Sequence, residues 1–294
     1  MKAPSNQRGR DFAIMLAAFN QLGYSVEWRV INAADYGRAQ RRRRVFFFVF
    51  RNDTKWGKRL HTKYEATLSN DVDLNARLEC YAPYIFEDGL FGRQFPVKGE
   101  AVKKRINANK LDEDIAEVSA NFSDGKMWNS GLMTNGYYYT IETEPKGDEE
   151  AIPMKKIVVK ENQVPEDYYV DGEKLEKFKY LRGPKKITRT AANGHTYTFS
   201  EGGMSELPGR TMLTSEGSVN RSTHLLKIDG KYRLITPIEA ERLQDFPDDW
   251  TRYKRNAKGE VVEVSDRMRM FFMGNALVTG IVKRIGDELQ KIDK

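Results

Sequence analysis

The sequence predicts an α/β fold joined to a loop-rich region with short strands. Apolar residues recur at helical spacing in residues 10–22, and two strand-like segments, residues 26–30 and 43–50, follow. A second amphipathic helix is predicted at residues 278–289. Between residues 52 and 205 the periodicity is weak, and Gly, Asn, Asp and Tyr interrupt short apolar runs. The order helix, strand, loop, strand indicates a fragment of an α/β sheet, which is too short to be a complete doubly wound domain and has no glycine-rich cofactor loop before it.

The first helix and strands are predicted from the spacing of their apolar residues. The apolar face of the helix consists of Phe12, Met15, Leu16, Phe19 and Leu22. Gly23 follows where a left-handed C-cap ends a helix. Val26, Trp28 and Val30 then alternate as in a strand, and residues 43–50 indicate a second, largely buried strand. One further helix is predicted in the middle region, at residues 111–122.

The last third of the chain carries clear turn and capping signals. Asp229 and Gly230 separate two short strands, which predicts a hairpin with a type I′ turn. Thr236, Pro237 and Glu239 then supply an N-cap, a proline at the first helical position and a reciprocal cap. These signals predict a short helix that ends at residue 243. Gly274 and Asn275 are predicted to form the turn before the final helix.

Composition and charge exclude several classes of protein. The 294 residues contain no run of about 18 apolar residues, so a membrane protein is not expected. The single cysteine, Cys80, and three scattered histidines have no metal-ligand spacing, so no metal is expected. A net charge of +7 favours a polyanionic partner, although a solvated basic surface would look the same. These features favour the reducing cytoplasm.

Three blocks, far apart and in order, resemble the last motifs of the DNA cytosine-5 methyltransferases. Residues 32–46 contain Gln40-Arg-Arg-Arg-Arg44 and are similar to that family's Gln-Arg-Arg-x-Arg strand. Residues 233–250 resemble the motif that connects the recognition domain back to the catalytic domain, and they are expected to serve packing rather than chemistry. Met273-Gly-Asn-Ala-Leu277 resembles the motif that completes the cofactor pocket.

The resemblance implies a fold, a reaction and a cofactor. It implies the C-terminal fragment of a Rossmann-like, S-adenosylmethionine-dependent methyltransferase domain, with a loop-rich, mostly β target recognition domain. Residues 1–52 would belong to the catalytic domain and residues 53–232 to the recognition domain. Residues 233–264 would form the linker motif, and residues 265–294 a C-terminal helix that packs on the catalytic domain. The implied reaction moves a methyl group to C5 of a flipped cytosine in double-stranded DNA.

The resemblance also assigns the arginines of the strand. Negative charge builds on the pyrimidine ring when a thiolate adds to C6, and a fixed guanidinium near O2 offsets that charge. By motif position Arg44 is the residue at O2. Arg42 lies on the same face of the strand and is expected to brace the site or to contact a phosphate. The alternative is that all four arginines, residues 41–44, bind phosphates or solvent.

Cofactor and DNA contacts are implied at the other blocks. Gly274, Asn275 and Ala276 would contact the amino acid end of S-adenosylmethionine, with a plain turn as the alternative for Asn275. The stretch of residues 210–217 resembles the part of the recognition domain that approaches the target base. Its candidates for DNA contact are Arg210, Thr211 and Thr214. A separate basic group, Lys185, Lys186 and Arg189, could contact phosphates, and a solvated surface explains it equally well.

The family's nucleophilic cysteine follows a proline, whereas Cys80 follows Glu79 and is expected to be a small core side chain. The family's cofactor glycine loop, Pro-Cys loop and Glu-Asn-Val motif are expected upstream of residue 1. The chain would then need a partner polypeptide that carries these N-terminal methyltransferase motifs. The alternatives are a DNA-binding module without catalysis and the remnant of a disrupted or misassigned gene. Association with the bacterial nucleoid, including a phage-encoded origin, is expected in each case.

Overall fold

The computed structural model describes residues 7–65, 72–99, 105–112, 114–123, 125–182, 187–190, 196–199 and 207–292. The helices are α1 (Arg10–Gln21), α2 (Lys55–Leu60), α3 (Leu74–Pro83), α4 (Leu90–Gln94), α5 (Ile115–Asn121), α6 (Gly172–Arg182), α7 (Pro237–Leu243), α8 (Asp266–Asn275) and α9 (Thr279–Ile292). The strands are β1 (Tyr24–Asn32), β2 (Arg43–Arg51), β3 (Ile106–Lys110), β4 (Ser130–Thr134), β5 (Tyr137–Ile141), β6 (Ile187–Thr190), β7 (Thr196–Phe199), β8 (Leu225–Ile228), β9 (Lys231–Leu234), β10 (Tyr253–Arg255) and β11 (Val261–Glu263). The predicted α/β class is confirmed.

The chain forms two compact units. Unit 1 consists of Met1–Ile31, Arg44–Gly147 and Arg284–Lys294, and unit 2 of Asn32–Arg43 and Asp148–Lys283. The domain boundaries expected from the sequence describe functional regions rather than compact units, and they stay a prediction. The assignment of the first strands to a fragment of a Rossmann-like methyltransferase domain likewise stays a prediction.

Unit 1 is built on a five-stranded sheet with the strand order β2-β1-β4-β5-β3. The β1–β4, β4–β5 and β3–β5 pairs are antiparallel. Trp28 on β1 lies opposite Gly131 on β4. A Cβ at position 131 would come within 2.2 Å of the Trp28 ring, so the register requires glycine there.

Helix α1 covers one face of this sheet. Its Ala13 and Leu16 are fully buried against Trp28, Met133 and Tyr138. The helix ends as predicted, since Gly23 follows it in the left-handed conformation with φ of 75°. The sequence therefore predicted the helix and part of its buried face, because Leu16 is buried and Phe12 and Phe19 pack against the same cluster, whereas Leu22 is 71% exposed.

The other face of β1 carries a buried acid and a buried base. Glu27 accepts hydrogen bonds from the Tyr84 hydroxyl at 3.1 Å and from the backbone N–H groups of Leu90 and Phe91 at 3.0 and 2.9 Å. Arg29 donates to the carbonyl oxygens of Phe95, at 2.9 Å, and of Ile85. The strand predicted from the alternation of Val26, Trp28 and Val30 is confirmed, and residues of both its faces are buried.

In unit 2, β8 and β9 form the predicted hairpin. Asp229 and Gly230 both have positive φ, 46° and 83°, which is the requirement of a type I′ turn. Helix α7 follows with the predicted capping box between Thr236 and Glu239 and with Pro237 in its first turn. Both predictions are confirmed.

Buried ion pairs fix α7 inside unit 2. Glu239 is fully buried and lies 2.6 Å from Arg233, and it also accepts the backbone N–H of Val159 at 2.9 Å. Glu241 is equally buried and lies 3.0 Å from Arg269 on α8. The expectation that this block packs rather than reacts agrees with its burial. Its last aromatic residue, Trp250, is different, because 64% of its surface is exposed.

Two predictions about secondary structure were wrong for the described residues. The region expected to be mostly β contains α2 to α6, and most of these helices are too short to show a clear apolar periodicity. Gly274 and Asn275, expected as a turn, are the last two residues of α8. The predicted final helix is confirmed as α9, with Val278 buried directly before it and Ile281 buried in its first turn.

Candidate functional site

We call residues 40–44, which carry the arginine motif, the arginine strand. Its beginning runs beside Gly209 in unit 2. The Gly209 N–H donates to the Ala39 carbonyl oxygen at 2.7 Å, and the Arg41 N–H donates to the Gly209 carbonyl oxygen at 2.7 Å. Gln40 and Gly209 form a parallel bridge between the same two segments. Gly209 directly precedes residues 210–217, which we call the recognition stretch. Backbone hydrogen bonds therefore attach the start of this stretch to the arginine strand.

Arg42 joins three parts of the sequence at one point. Its guanidinium donates from Nη1 to the Met212 carbonyl oxygen at 2.9 Å and from Nη2 to the Gly274 carbonyl oxygen at 3.0 Å. Only 3% of Arg42 is exposed. We call Gln40, Arg42, Met212 and Gly274 the arginine node. This geometry favours the bracing role predicted for Arg42 over contact with a phosphate.

Gln40 completes the node, although the sequence suggested no separate role for it. Its side chain is fully buried, donates from Nε2 to the Leu243 carbonyl oxygen at 3.3 Å, and accepts the Met212 N–H at 3.3 Å. The signal that could have found it is its place at the head of the arginine motif. A carboxamide can donate and accept at once, and this position uses both properties.

Arg44 lies two residues further along, at the start of β2. Arg44 is half-buried, between the exposed residues Arg43 and Val45. The burial of Arg42, Arg43 and Arg44 follows the predicted alternation of the strand. Contact between Arg44 and a flipped base stays a prediction.

The recognition stretch is held by its own side chains. Thr211 donates its hydroxyl to the Arg41 carbonyl oxygen at 2.6 Å. Arg210 donates to the carbonyl oxygens of Arg221 and Thr223 at 3.2 and 3.0 Å, and burial lowers the pKa of its guanidinium. Thr214 is exposed in the following turn. Of these candidates for DNA contact, Thr214 presents the most open side chain.

A buried carboxylate anchors the loop beyond that turn. Glu216 accepts the His224 N–H at 2.6 Å, and both side chains are almost fully buried. Asn220 accepts the N–H groups of Ser222 and Thr223 at 2.8 and 3.0 Å, which closes a local turn. The loop between residues 213 and 222 is therefore fixed at its base while its outer residues remain exposed.

The candidate cofactor residues lie at the C-terminal end of α8 rather than at the start of a helix. The Gly274 carbonyl oxygen is bound by Arg42, and the Met273 carbonyl oxygen accepts Nε2 of Gln244 at 2.6 Å. Asn275 is exposed and donates from Nδ2 to the Phe271 carbonyl oxygen at 3.1 Å. The oxygen of its carboxamide is an acceptor, and the C-terminal end of a helix attracts positively charged groups.

Gly274 is needed for packing within the protein. A Cβ at this position would lie 2.5 Å from the Thr214 nitrogen and 2.6 Å from the Leu213 carbonyl carbon. The backbone of the recognition stretch therefore occupies the space that a side chain at position 274 would need. Ala276, the third candidate, is half-buried and follows directly after α8.

Three further candidates for DNA contact fall on residues or side chains outside those that the structure describes. Lys185 and Lys186 lie outside the described residues, and Arg189 lies in β6, with its side chain outside them. Cys80 is half-buried on α3 and donates to the Tyr64 carbonyl oxygen at 2.8 Å. In the described part of the chain, His, Cys, Asp and Glu side chains form no group of three that could hold a metal. The described helices include none with the length and apolarity to cross a membrane.

Comparisons with known proteins agree with the motifs. The family model described as "C-5 cytosine-specific DNA methylase" matches residues 2–291. The chain is 49% identical over 298 residues to the type II methyltransferase M.Sau3AI of Staphylococcus aureus, a match covering 100% of this chain and 65% of that relative. It is also 40% identical over 45 residues to the type II methyltransferase M.NlaIV of Neisseria lactamica, covering 15% of this chain and 11% of that relative.

The chain therefore spans a little under two thirds of the length of the Staphylococcus aureus relative. The expectation that it is the C-terminal part of a methyltransferase stays a prediction. The family match extends over almost every residue of the sequence, from the first helix to the last. The chain belongs to the C-5 cytosine-specific DNA methylase family.

Proposed function

We propose that these residues take part in transferring a methyl group to C5 of a flipped cytosine at a specific sequence in double-stranded DNA. The observation that carries the proposal is the arginine node. Within unit 2 it joins the arginine strand, the recognition stretch and the end of α8, which lie up to 232 residues apart in the sequence. In a DNA cytosine methylase these segments would contact the base, the duplex and the cofactor respectively.

Each candidate residue has a separate task in this proposal. S-adenosylmethionine supplies the methyl group when bound. Arg44 stabilises the negative charge that develops on the pyrimidine ring near O2. Thr214 and Thr211 lie toward the target base pair, and Arg210 holds the loop that follows them. Asn275 and Ala276 contact the amino acid end of the cofactor.

The reaction also needs a thiolate that adds to C6 of the cytosine and an acid that assists at N3. Cys80 is a poor candidate for the thiolate, because it lies on α3 after Glu79 and donates to a backbone carbonyl oxygen. We propose that polypeptide outside these 294 residues provides the thiol, the acid and the cofactor glycine loop. This polypeptide is either another part of a longer protein or a partner subunit.

An apolar stripe on α8 is the proposed contact surface for that polypeptide. Met268, Phe271 and Phe272 lie on one face at helical spacing and are 41%, 46% and 39% exposed. Asn275 lies on the same face one turn further on. Exposed aromatic side chains beside a candidate cofactor residue are typical of a surface that another segment covers.

The names of the relatives support the biological setting. Both are type II methyltransferases, so we place this chain in DNA methylation within a type II restriction-modification system of a bacterium, acting in the cytoplasm at the nucleoid. A DNA-binding module without catalysis, or an inactive remnant of a truncated gene, remains the competing function.

The test measures transfer of a tritiated methyl group from S-adenosylmethionine to duplex DNA. The chain is assayed alone, with the product of the adjacent upstream gene, and with the part of the Staphylococcus aureus relative that the match does not cover. We expect methylation only when a second polypeptide is present. Activity of the chain alone would disprove the need for external residues, and DNA binding without methylation in every mixture would favour the binding module.

The contact surface is tested with a matched pair of variants. We expect Phe271→Ser combined with Phe272→Ser to weaken association with the second polypeptide, measured by analytical ultracentrifugation. Leu22→Ser is the control, since Leu22 is 71% exposed and lies in unit 1 after α1. Equal association of both variants would exclude α8 as the contact surface.

A further inference from the structure

We propose that Arg42 is a positioning residue that couples DNA binding to cofactor binding. The inference rests on the proposed function, because it takes the recognition stretch as the DNA side and the end of α8 as the cofactor side. It goes beyond that function by stating that the two ligands bind cooperatively and by naming the side chain that transmits the effect.

The first argument is the geometry of the guanidinium. Its two η nitrogens bind different segments, with the Met212 carbonyl oxygen at 2.9 Å on one side and the Gly274 carbonyl oxygen at 3.0 Å on the other. A guanidinium is planar and holds its donors in a fixed fork. A displacement of either carbonyl therefore strains or breaks a hydrogen bond to the other segment.

The second argument is direct contact between the same two segments. Gly274 lies against the backbone of Leu213 and Thr214, with no room for a Cβ. Met212 is fully buried and Arg42 nearly so. Close-packed interiors transmit displacements because there is no free volume to absorb them. A displacement of the backbone at residues 212–214 consequently displaces Gly274 at the end of α8.

Cooperative binding follows from this linkage. A ligand that fixes residues 274–276 also fixes the recognition stretch, so the second ligand has less conformational entropy to lose. Thermodynamic linkage makes the effect reciprocal: the cofactor strengthens DNA binding by the same factor by which DNA strengthens cofactor binding. A methyltransferase with this property would hold its cofactor most firmly when the target base is in place.

Arg210 provides a matched control within the same unit. It also donates to two backbone carbonyl oxygens, but both acceptors, Arg221 and Thr223, belong to the loop that follows the recognition stretch. Its removal also breaks hydrogen bonds to two backbone carbonyl oxygens, and it leaves the hydrogen bond from Arg42 to α8 in place. Arg42→Met and Arg210→Met thus differ in which segments they disconnect.

The experiment measures four dissociation constants by isothermal titration calorimetry on the active complex. S-adenosylhomocysteine is titrated with and without a duplex that the wild-type complex selects from a random pool, and the duplex is titrated with and without S-adenosylhomocysteine. We expect a coupling factor of about fivefold or more in the wild type. In Arg42→Met it falls to about one, while Arg210→Met weakens DNA binding but keeps the wild-type factor.

Hydrogen exchange of the wild type gives a second measurement if Arg42→Met does not fold. S-adenosylhomocysteine alone is expected to slow exchange at residues 211–216, and DNA alone at residues 273–277. Wild-type protein that binds both ligands with a coupling factor of one, or Arg42→Met with an unchanged factor, overturns the inference alone. Wild-type protein that binds neither ligand overturns the proposed function as well.

Discussion

Gly274 lies so close to Thr214 that a Cβ would come within 2.5 Å of the Thr214 nitrogen. Both residues belong to unit 2 and are 60 positions apart in the sequence. The obstacle is backbone rather than the end of a flexible side chain, so a larger residue cannot be accommodated by a rotamer change. This position therefore requires glycine because of packing, although its place in a helix would favour alanine.

Gly274→Ala is expected to destabilise the protein by about 1–3 kcal/mol, the usual cost of overpacking. Gly286→Ala is the control: it is also helical, but its added Cβ meets nothing within 4 Å. There the higher helix propensity of alanine should stabilise by about 1 kcal/mol. Urea unfolding measures the change in the free energy of unfolding for both variants. A neutral or stabilising Gly274→Ala would contradict the close packing of Gly274 against Thr214.

The buried pair Arg233–Glu239 gives a second prediction. Glu239 is fully buried, and its charge is balanced by Arg233 at 2.6 Å. Arg233→Met leaves that carboxylate without its counter-ion, and we expect a loss of about 3–5 kcal/mol in the free energy of unfolding. The exposed pair Arg51–Asp53, at 2.5 Å, is the control, and Arg51→Met should cost less than about 1 kcal/mol of ion pairing. Similar losses for both variants would show that burial does not decide the cost.

The sequence predicted those parts of the fold whose signals are local. Asp229 and Gly230 specify their turn through positive φ, and Thr236 with Glu239 specifies a helix start through two reciprocal hydrogen bonds. Helix α1 was predictable because its apolar residues repeat at helical spacing. Such signals need no knowledge of the distant partner.

Other features depend on distant partners and were not predictable from local pattern. The alternation in β1 could not reveal that Glu27 and Arg29 are buried, because their partners come from residues 84–95. The end of α8 looked like a turn, since the hydrogen bonds that cap it come from Arg42 and Gln244. Motif position suggested that Arg42 braces the site, whereas its two acceptors were visible only in the structure.

Glu27 gives a prediction about pH. Burial raises the pKa of its carboxyl to about 7 from an ordinary value of 4.5. The folded protein then holds a proton that the unfolded chain has lost, so the contribution of Glu27 to stability is complete below pH 4.5 and is lost as pH rises through 7. This loss amounts to about 3 kcal/mol.

Glu27→Gln removes this dependence, so the variant should be more destabilised relative to the wild type at pH 5 than at pH 8. Urea unfolding at the two pH values measures the difference between the proteins. Glu144→Gln is the control, because Glu144 pairs with Lys98 in a more exposed position of unit 1. A difference between wild type and Glu27→Gln that is constant with pH would mean that Glu27 stays charged in the folded protein.

Arg44 gives the prediction closest to the chemistry. If its guanidinium stabilises charge near O2 of the cytosine, Arg44→Ala should lower kcat of the active complex by about 100- to 1000-fold. DNA affinity should change little, because the contact is made mainly in the transition state. Single-turnover kinetics and DNA titration at several salt concentrations separate the two effects.

Arg43→Ala is the matched control, since Arg43 is exposed and adjacent in the same strand. A phosphate contact at Arg43 would appear as weaker DNA binding and a salt dependence reduced by about one unit of slope, with kcat retained. If Arg44→Ala behaves in that way instead, Arg44 binds the DNA backbone, and the charge on the pyrimidine must be stabilised by another group. The two neighbouring arginines thereby distinguish catalysis from electrostatic attraction within one strand.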